Sequence, residues 1–190
     1  MMKFLLHGGQ LRYEDTRNDA YFRELTNGLY DGDNVLFIGF ARRDETDRQQ
    51  VYERDKGYIL AQTELDLTVT NATHDDFMEQ VTAAQAIHIT GGATDELVRY
   101  IRQYPGFIAA IAGKAVGGSS AGACLFSTHY FYSYTEQVLE GLGTLPIRLH
   151  VHANPEFEAT AKAIAMLEQY PHDLELVLVE ECAWITREVG

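Results

Sequence analysis

The sequence feature that most constrains the fold is an alternation of short apolar runs with longer segments whose apolar residues recur at helical spacing. Runs rich in branched residues predict strands at KFLLH, NVLFIGF, LDLTV, AIHIT, KAVGG, PIRLHVH and ELVLVEECAWIT. The intervening segments, such as DETDRQQVYERDKGYILAQ and TDELVRYIRQY, predict helices. This alternation indicates an α/β fold with an open, mostly parallel sheet and helices on both faces. Ligands of such folds bind beyond the carboxyl ends of the strands.

The length and charge of the chain limit its organisation and its partners. A chain of 190 residues is within the range of one domain, so we expect a single α/β domain over residues 1–190. The net charge of −13 argues against nucleic acid or an anionic membrane as a partner, because both are bound mainly through Lys and Arg. A small molecule, a peptide or another copy of the chain is the expected partner.

Nothing in the sequence indicates export. The stretch MMKFLLHGG contains only a short apolar run, far below a signal-peptide core or a membrane span. Cys124 and Cys182 form neither a disulfide framework nor a four-ligand zinc pattern. We therefore expect a cytoplasmic protein.

The stretch GGSSAGA, residues 117–123, contains no side chain larger than serine. It joins the predicted strand KAVGG to AGACLFST, which can begin a helix. A Gly-x-Ser-x-Gly motif at such a junction is a nucleophile elbow, whose strained backbone exposes the central serine and requires very small neighbours. The central residue here is Ser120, whereas Ser119 is a spacer, and the N–H of Ala121 is free to stabilise an oxyanion. The alternative is a turn of small residues that only lets a helix pack close to a strand.

A second glycine turn lies in HITGGATDEL, where Gly91 and Gly92 follow a strand and precede a helix. One of their N–H groups can complete an oxyanion hole. Phosphate binding is the alternative, but the glycine and lysine spacings of dinucleotide and P-loop motifs are absent. Gly8 and Gly9 form a similar turn after the first strand, for which a ligand role and simple turn geometry both remain open.

A serine nucleophile needs a base, and the base needs a third group that fixes its tautomer. The candidate base is His152, at the carboxyl end of PIRLHVH, although His150 and His152 could also be a core pair or a metal pair. No third ligand with a clear signature accompanies them, so we expect no metal. The run LVEECAWIT offers Glu180 and Glu181 as the orienting acid. The remaining histidines are interpreted as ordinary: His7, His74, His88, His129 and His172.

Together these stretches resemble the dipeptidase E family of serine peptidases, the aspartyl dipeptidases, which have cyanophycinase as a relative. The matching stretches are GGATDEL, GSSAGA, GLGTLPIRLHVH and EECAWIT. The resemblance implies a flavodoxin-like fold similar to that of class I glutamine amidotransferases. It also implies a catalytic Ser120, His152 and Glu181, with oxyanion donors at Gly92 and Ala121. No metal or organic cofactor is implied.

Two departures from the family pattern concern the end of the chain and its specificity. Relatives usually continue past WIT through a glycine-rich return strand, so we expect the last sheet edge to be trimmed or to be completed by a partner, such as another copy of the chain in a homo-oligomer. Relatives also bind an N-terminal Asp partly through basic residues after the histidine, where this chain has only Lys162. Arg42 and Arg43 are the alternative substrate-binding candidates. Their other interpretation is a solvated helix start, balanced by Asp44 and Glu45.

The sequence therefore predicts a serine peptidase that acts on short peptides through an acyl-enzyme, as an exopeptidase or dipeptidase. One alternative is a non-catalytic amidotransferase-like module that binds a ligand or partner, which a broken triad would favour. The other alternative is a hydrolase of non-peptide amides or esters.

Overall fold

The computed structural model describes residues 2–189, which form ten strands and seven helices. The strands are β1 (Met2–His7), β2 (Asn34–Ile38), β3 (Thr68–Asn71), β4 (Ala86–Ile89), β5 (Ala115–Ser119), β6 (Ser127–Tyr132), β7 (Gln137–Glu140), β8 (Leu145–Ala153), β9 (Glu175–Glu180) and β10 (Trp184–Val189). The helices are α1 (Thr16–Thr26), α2 (Glu45–Ala61), α3 (Phe77–Ala83), α4 (Thr94–Ile101), α5 (Phe107–Ala110), α6 (Ala121–Cys124) and α7 (Glu158–Leu167). Within this part of the chain, no helix has the length and apolarity needed to cross a membrane.

The strands form two sheets. The larger sheet has the order β10-β1-β5-β4-β2-β3, and all its pairs are parallel except the edge pair of β10 with β1. The smaller sheet has the order β7-β6-β8-β9, with parallel pairs β6–β8 and β8–β9 and an antiparallel β7. The predicted α/β class with mostly parallel strands is therefore confirmed. The sequence predicted one sheet rather than two, because apolar runs do not specify which strands pair.

Two stretches differ in detail from the sequence-based expectation. The run ELVLVEECAWIT predicts one strand, whereas it forms β9 and β10 with a turn between them, in which Cys182 has a φ of 60°. The segment after the elbow predicts a helix, but α6 ends at Cys124 and the chain enters the hairpin β6–β7. Its many Gly, Ser and Thr residues give no clear helical or strand period.

A buried apolar cluster joins the two sheets. It takes Phe4 and Ile89 from the larger sheet and Leu149 and Val179 from the smaller one, and each of these four residues is at most 1% exposed. Full burial of such a side chain contributes about 2 kcal/mol. This shared core holds the carboxyl ends of β1 and β5 next to those of β8 and β9.

Candidate active site

Ser120 lies at a sharp turn between β5 and α6. Its φ of 52° and ψ of −106° belong to a region that side-chain-bearing residues rarely adopt. The Ser120 N–H donates to the carbonyl of His7 at 2.9 Å, and the Ser120 carbonyl accepts the N–H groups of Ala123 and Cys124, each at 3.0 Å. These bonds hold the strained turn, which has the geometry of a nucleophile elbow.

The glycines around Ser120 are required by close backbone contacts. A Cβ on Gly118 would overlap the carbonyl of Gly122, and a Cβ on Gly122 would overlap the carbonyl oxygen of Ile89. A Cβ on Gly91 would lie 3.1 Å from the Cβ of Ser120. The small residues therefore let three segments meet at the serine.

Ser120, His152 and Glu181 form one hydrogen-bonded series. The Oγ of Ser120 lies 2.9 Å from Nε2 of His152, and Nδ1 of the same ring lies 3.1 Å from Oε1 of Glu181. A carboxylate accepts the Nδ1–H and leaves Nε2 free to take a proton from the hydroxyl. Glu180 is instead the exposed last residue of β9, and Ser119 is buried.

A bulge directs His152 towards the serine. The β8–β9 pairing passes from Val151 to Ala153 and skips His152, whose φ is 56°. The His152 N–H leaves the strand ladder and donates to the carbonyl of Gly8 at 3.0 Å. Because a bulge re-aims a side chain, His152 is exposed at the strand end whereas the preceding residues stay buried.

The other polar side chains of β8 have different environments. His150 is only 6% exposed, with its ring centroid 5.5 Å from that of Phe131. Burial, and secondarily the nearby His152, lowers the pKa of His150 to about 4. Arg148 donates to the carbonyls of Leu174 and Leu167, so it holds the chain that follows α7.

Within residues 2–189, no group of three or more His, Cys, Asp or Glu residues is placed to hold a metal ion.

The turn after β1 links the two sheets beside the His152 ring. The Gly8 N–H donates to the carbonyl of Ala183 at 2.9 Å, and the Cys182 N–H donates to the carbonyl of Gly9 at 3.0 Å. A Cβ on Gly8 would overlap the carbonyl of Glu180. For Gly8, close packing therefore explains the glycine.

Gln10 adds a contact that sequence reasoning missed. Its φ is 64°, and its side-chain amide donates to Oε1 of Glu181 at 3.3 Å. The Gln10 side-chain oxygen accepts from Nε of Arg12 at 3.1 Å. The carboxylate of Glu181 is therefore held from two sides, and the only sequence signal for this was the preceding glycine pair.

His7, which the sequence gives no reason to single out, forms a buried network behind the serine. Its Nε2 lies 2.8 Å from the Asn18 side-chain oxygen, and its Nδ1 accepts the Gly9 N–H at 3.0 Å. Burial is the main cause that lowers the pKa of His7 to about 4, so the ring is neutral near pH 7. The Oγ of Ser119 lies 3.5 Å from the same Nδ1. This network fixes the turn that contacts His152.

Two backbone N–H groups near Ser120 are available as oxyanion donors. Within residues 2–189, the N–H groups of Gly92 and Ala121 donate to no protein acceptor. Gly92 has a φ of 149°, and a Cβ there would overlap the carbonyl of Ala41. The close approach of Gly91 to Ser120 brings the Gly91–Gly92 turn to the serine.

A cavity of about 570 Å³ opens over the serine and has a cationic wall. This volume is typical of a small-ligand site. Besides Ser120 and His152, its lining includes three arginines and one carboxylate: Arg12, Arg42, Arg54 and Asp47. Arg42 pairs with Asp47 and Arg54 with the buried Asp55, so among these arginines Arg12 carries the charge that no ion pair balances within residues 2–189.

The two arginines predicted from the sequence separate in the structure. Arg42 lines the cavity, with its Nη1 3.2 Å from Oδ2 of Asp47. Arg43 pairs with Glu96 at 2.8 Å and lines a smaller neighbouring pocket. Arg12 lies in the loop after β1 and Arg54 lies in α2. Neither belongs to a sequence motif, so sequence patterns did not indicate them.

Comparisons with known proteins agree with this architecture. The model of peptidase family S51 matches residues 4–189, whereas no curated protein sequence matches significantly. The crystal structure of a candidate peptidase E protein from Listeria monocytogenes EGD-e is 20% identical, with 100% of both chains covered and a TM-score of 0.70. A peptidase from an acI-B1 Actinobacterium is 19% identical, with 98% of this chain and 83% of that chain covered and a TM-score of 0.67. At these identities the structural similarity supports the fold alone.

Proposed function

This chain belongs to peptidase family S51, and we propose that it cleaves short peptides through an acyl-enzyme formed on Ser120. The single observation that carries this proposal is the hydrogen-bonded series from Ser120 through His152 to Glu181. A non-catalytic module would have no reason to keep this geometry on a strained backbone.

The proposed reaction has two half-reactions, and His152 acts in each as base and then as acid. Nε2 of His152 takes the hydroxyl proton as Ser120 attacks the peptide carbonyl, and Glu181 stabilises the resulting imidazolium. The N–H groups of Gly92 and Ala121 donate to the oxyanion. His152 then returns the proton to the leaving amine. In the second half-reaction His152 activates a water molecule, which hydrolyses the ester on Ser120.

The size of the cavity favours short substrates. Tyr134 and Phe157 line it and are 78% and 61% exposed, so two aromatic side chains stand at its mouth. A volume of about 570 Å³ fits a small ligand better than an extended polypeptide. We therefore infer an exopeptidase, and a dipeptidase in particular.

The cationic wall favours a substrate with a free carboxylate near the scissile bond. Arg12 and Arg42 line the cavity, and guanidinium groups bind carboxylates through paired hydrogen bonds. The carboxylate can belong to an acidic side chain, as in an N-terminal Asp, or to the C-terminus of a dipeptide. Arg43 lies outside this cavity, so Arg12 takes its place in the proposed carboxylate site.

Digestion of a dipeptide library by the native protein and by Ser120→Ala tests the proposal. We expect the native protein to cleave a subset of dipeptides and the variant to cleave none at a measurable rate. The same cleavage by both proteins would show that another group is the nucleophile. If neither protein cleaves any dipeptide, the proposed substrate class is wrong.

A further inference from the structure

A second pocket beside the catalytic cavity concentrates arginines. We propose that this arginine pocket, formed by Arg42, Arg43, Arg48 and Arg99 over Phe40 and Tyr100, binds a tetrahedral oxyanion such as the phosphate group of a small molecule. It lies where the loop after β2 meets α2 and α4, and of its arginines only Arg42 also lines the catalytic cavity.

The charge of the arginine pocket is opposite to that of the protein. The chain has 15 Lys and Arg residues against 28 Asp and Glu residues. Four of those cations line this one pocket, where Glu96 is the only carboxylate among the lining residues. Within residues 2–189, Arg42 pairs with Asp47 and Arg43 with Glu96, whereas Arg48 and Arg99 have no ion pair closer than 3.9 Å. Like charges repel one another, so a bound anion would offset the charge of these two arginines.

The arginines of the pocket also have hydrogen-bond donors that the protein does not use. The Arg48 side chain is only 19% exposed, yet its nearest ion pair is to Glu45 at 3.9 Å and its guanidinium makes no hydrogen bond within residues 2–189. Nε of Arg42 is buried without a partner, and Arg99, an exposed residue, makes neither an ion pair nor a side-chain hydrogen bond with residues 2–189. A guanidinium has five N–H donors and no acceptor, so an acceptor-rich anion is the matching ligand.

The size and walls of the arginine pocket define the class of anion. Its volume is about 220 Å³, which is below the usual range for whole small-molecule ligands. The ring centroid of Phe40 lies 4.6 Å from that of His74, on which it stacks, and 4.4 Å from that of Tyr100. These rings give the pocket an apolar floor. Guanidinium groups stand around this floor and supply several N–H donors, so a compact group with several oxygens suits the pocket. A phosphate group accepts from several guanidinium groups at once.

Calorimetric titration of the native protein with inorganic phosphate, at an ionic strength matched with sodium chloride, tests the proposal without any substrate. We expect binding with a Kd below about 1 mM. Arg48→Gln and Arg99→Gln should each weaken it at least about tenfold, because each removes a charged donor. Arg23→Gln is the matched control: it removes the same charge from α1, where Arg23 contacts Gln62, and should leave the affinity unchanged.

The possible outcomes separate the site from the peptidase activity. Phosphate binding that is lost in Arg48→Gln or Arg99→Gln supports the site even if the protein cleaves no peptide. The absence of phosphate binding, or equal loss in Arg23→Gln, overturns it. Tighter binding of malonate than of phosphate would show that the pocket prefers planar carboxylates, and it would overturn the proposal of a tetrahedral ligand. Circular dichroism of each variant verifies that the fold is intact, and the two independent substitutions keep the test valid if one of them fails to fold.

Discussion

Gly9 lies directly against the imidazole of His152. A Cβ on Gly9 would overlap Cε1 of the ring and lie 2.7 Å from its Nε2, and the Gly9 φ is 114°. The glycine is therefore required both by its backbone conformation and by the position of the ring, and the turn after β1 is part of the candidate site.

Gly9→Ala should displace the His152 ring from Ser120. We expect labelling of the serine by a fluorophosphonate to slow about 100-fold, because a displacement of about 1 Å can cost that much in rate. Gly28→Ala is the control, since Gly28 also has a positive φ, of 89°, but has no neighbouring atom within 4 Å. It should lose some stability and keep its labelling rate, whereas equal slowing of both variants would contradict the steric explanation.

Ser120 should be the residue that a fluorophosphonate modifies. The hydroxyl of Ser120 contacts Nε2 of His152, whereas Ser119 is buried beside His7. Mass mapping of the labelled peptide from native protein, Ser119→Ala and Ser120→Ala identifies the site. Ser120→Ala should lose the label and several powers of ten in peptidase rate while remaining folded. A label that remains in Ser120→Ala would contradict the elbow assignment.

Glu181→Gln should slow catalysis far more than Glu180→Gln. Only Glu181 contacts Nδ1 of His152, and an amide there no longer stabilises the imidazolium. We expect a loss in kcat of about 100-fold or more for Glu181→Gln. The loss should be small for Glu180→Gln, which removes the same charge one residue away. Steady-state kinetics on the best dipeptide decide between them, and the reverse order would assign the orienting role to Glu180.

Arg42→Gln and Arg12→Gln should raise KM for dipeptides. Both arginines line the catalytic cavity, whereas Arg43, which pairs with Glu96, serves as the control. A charge-assisted bond contributes about 2 kcal/mol, so we expect KM to rise about tenfold or more. The effect should shrink on substrates whose carboxylate is replaced by an amide. If Arg43→Gln raises KM and the other two variants do not, the cationic wall is assigned to the wrong residues.

His7 should make the protein less stable in acid. Its pKa is lowered by burial from 6.5 to about 4, so the unfolded chain binds a proton that the folded protein does not. The contribution of His7 to stability is therefore complete above about pH 6.5 and is lost as the pH falls towards about 4. Between pH 7 and pH 5 this loss amounts to about 2 kcal/mol.

Urea unfolding at both pH values, for native protein and His7→Gln, measures this difference. The native protein should lose about 2 kcal/mol more of its unfolding free energy than the variant, which cannot titrate at this position. An equal loss in the two proteins would show that other groups cause the acid sensitivity.

The sequence by itself determined the order of the strands and helices and which side chains could take part in chemistry. Strand and helix runs are local patterns, so alternation alone was sufficient to predict the α/β class. The small residues around Ser120 are likewise a local requirement of a sharp turn. The resemblance to known peptidases then indicated His152 and Glu181 before any distance was known.

Tertiary structure decided how those residues meet. The bulge at His152 and the turn at Cys182 depend on backbone bonds to Gly8 and Gly9, which are distant in the sequence. No local pattern encodes such bonds, so simple strand alternation fails at the two positions that orient the base and the acid. The same reason explains why sequence patterns did not predict that Gln10 contacts Glu181 or that Arg12 lines the catalytic cavity. Both depend on which loops share the carboxyl edge of the strands once the two sheets have packed together.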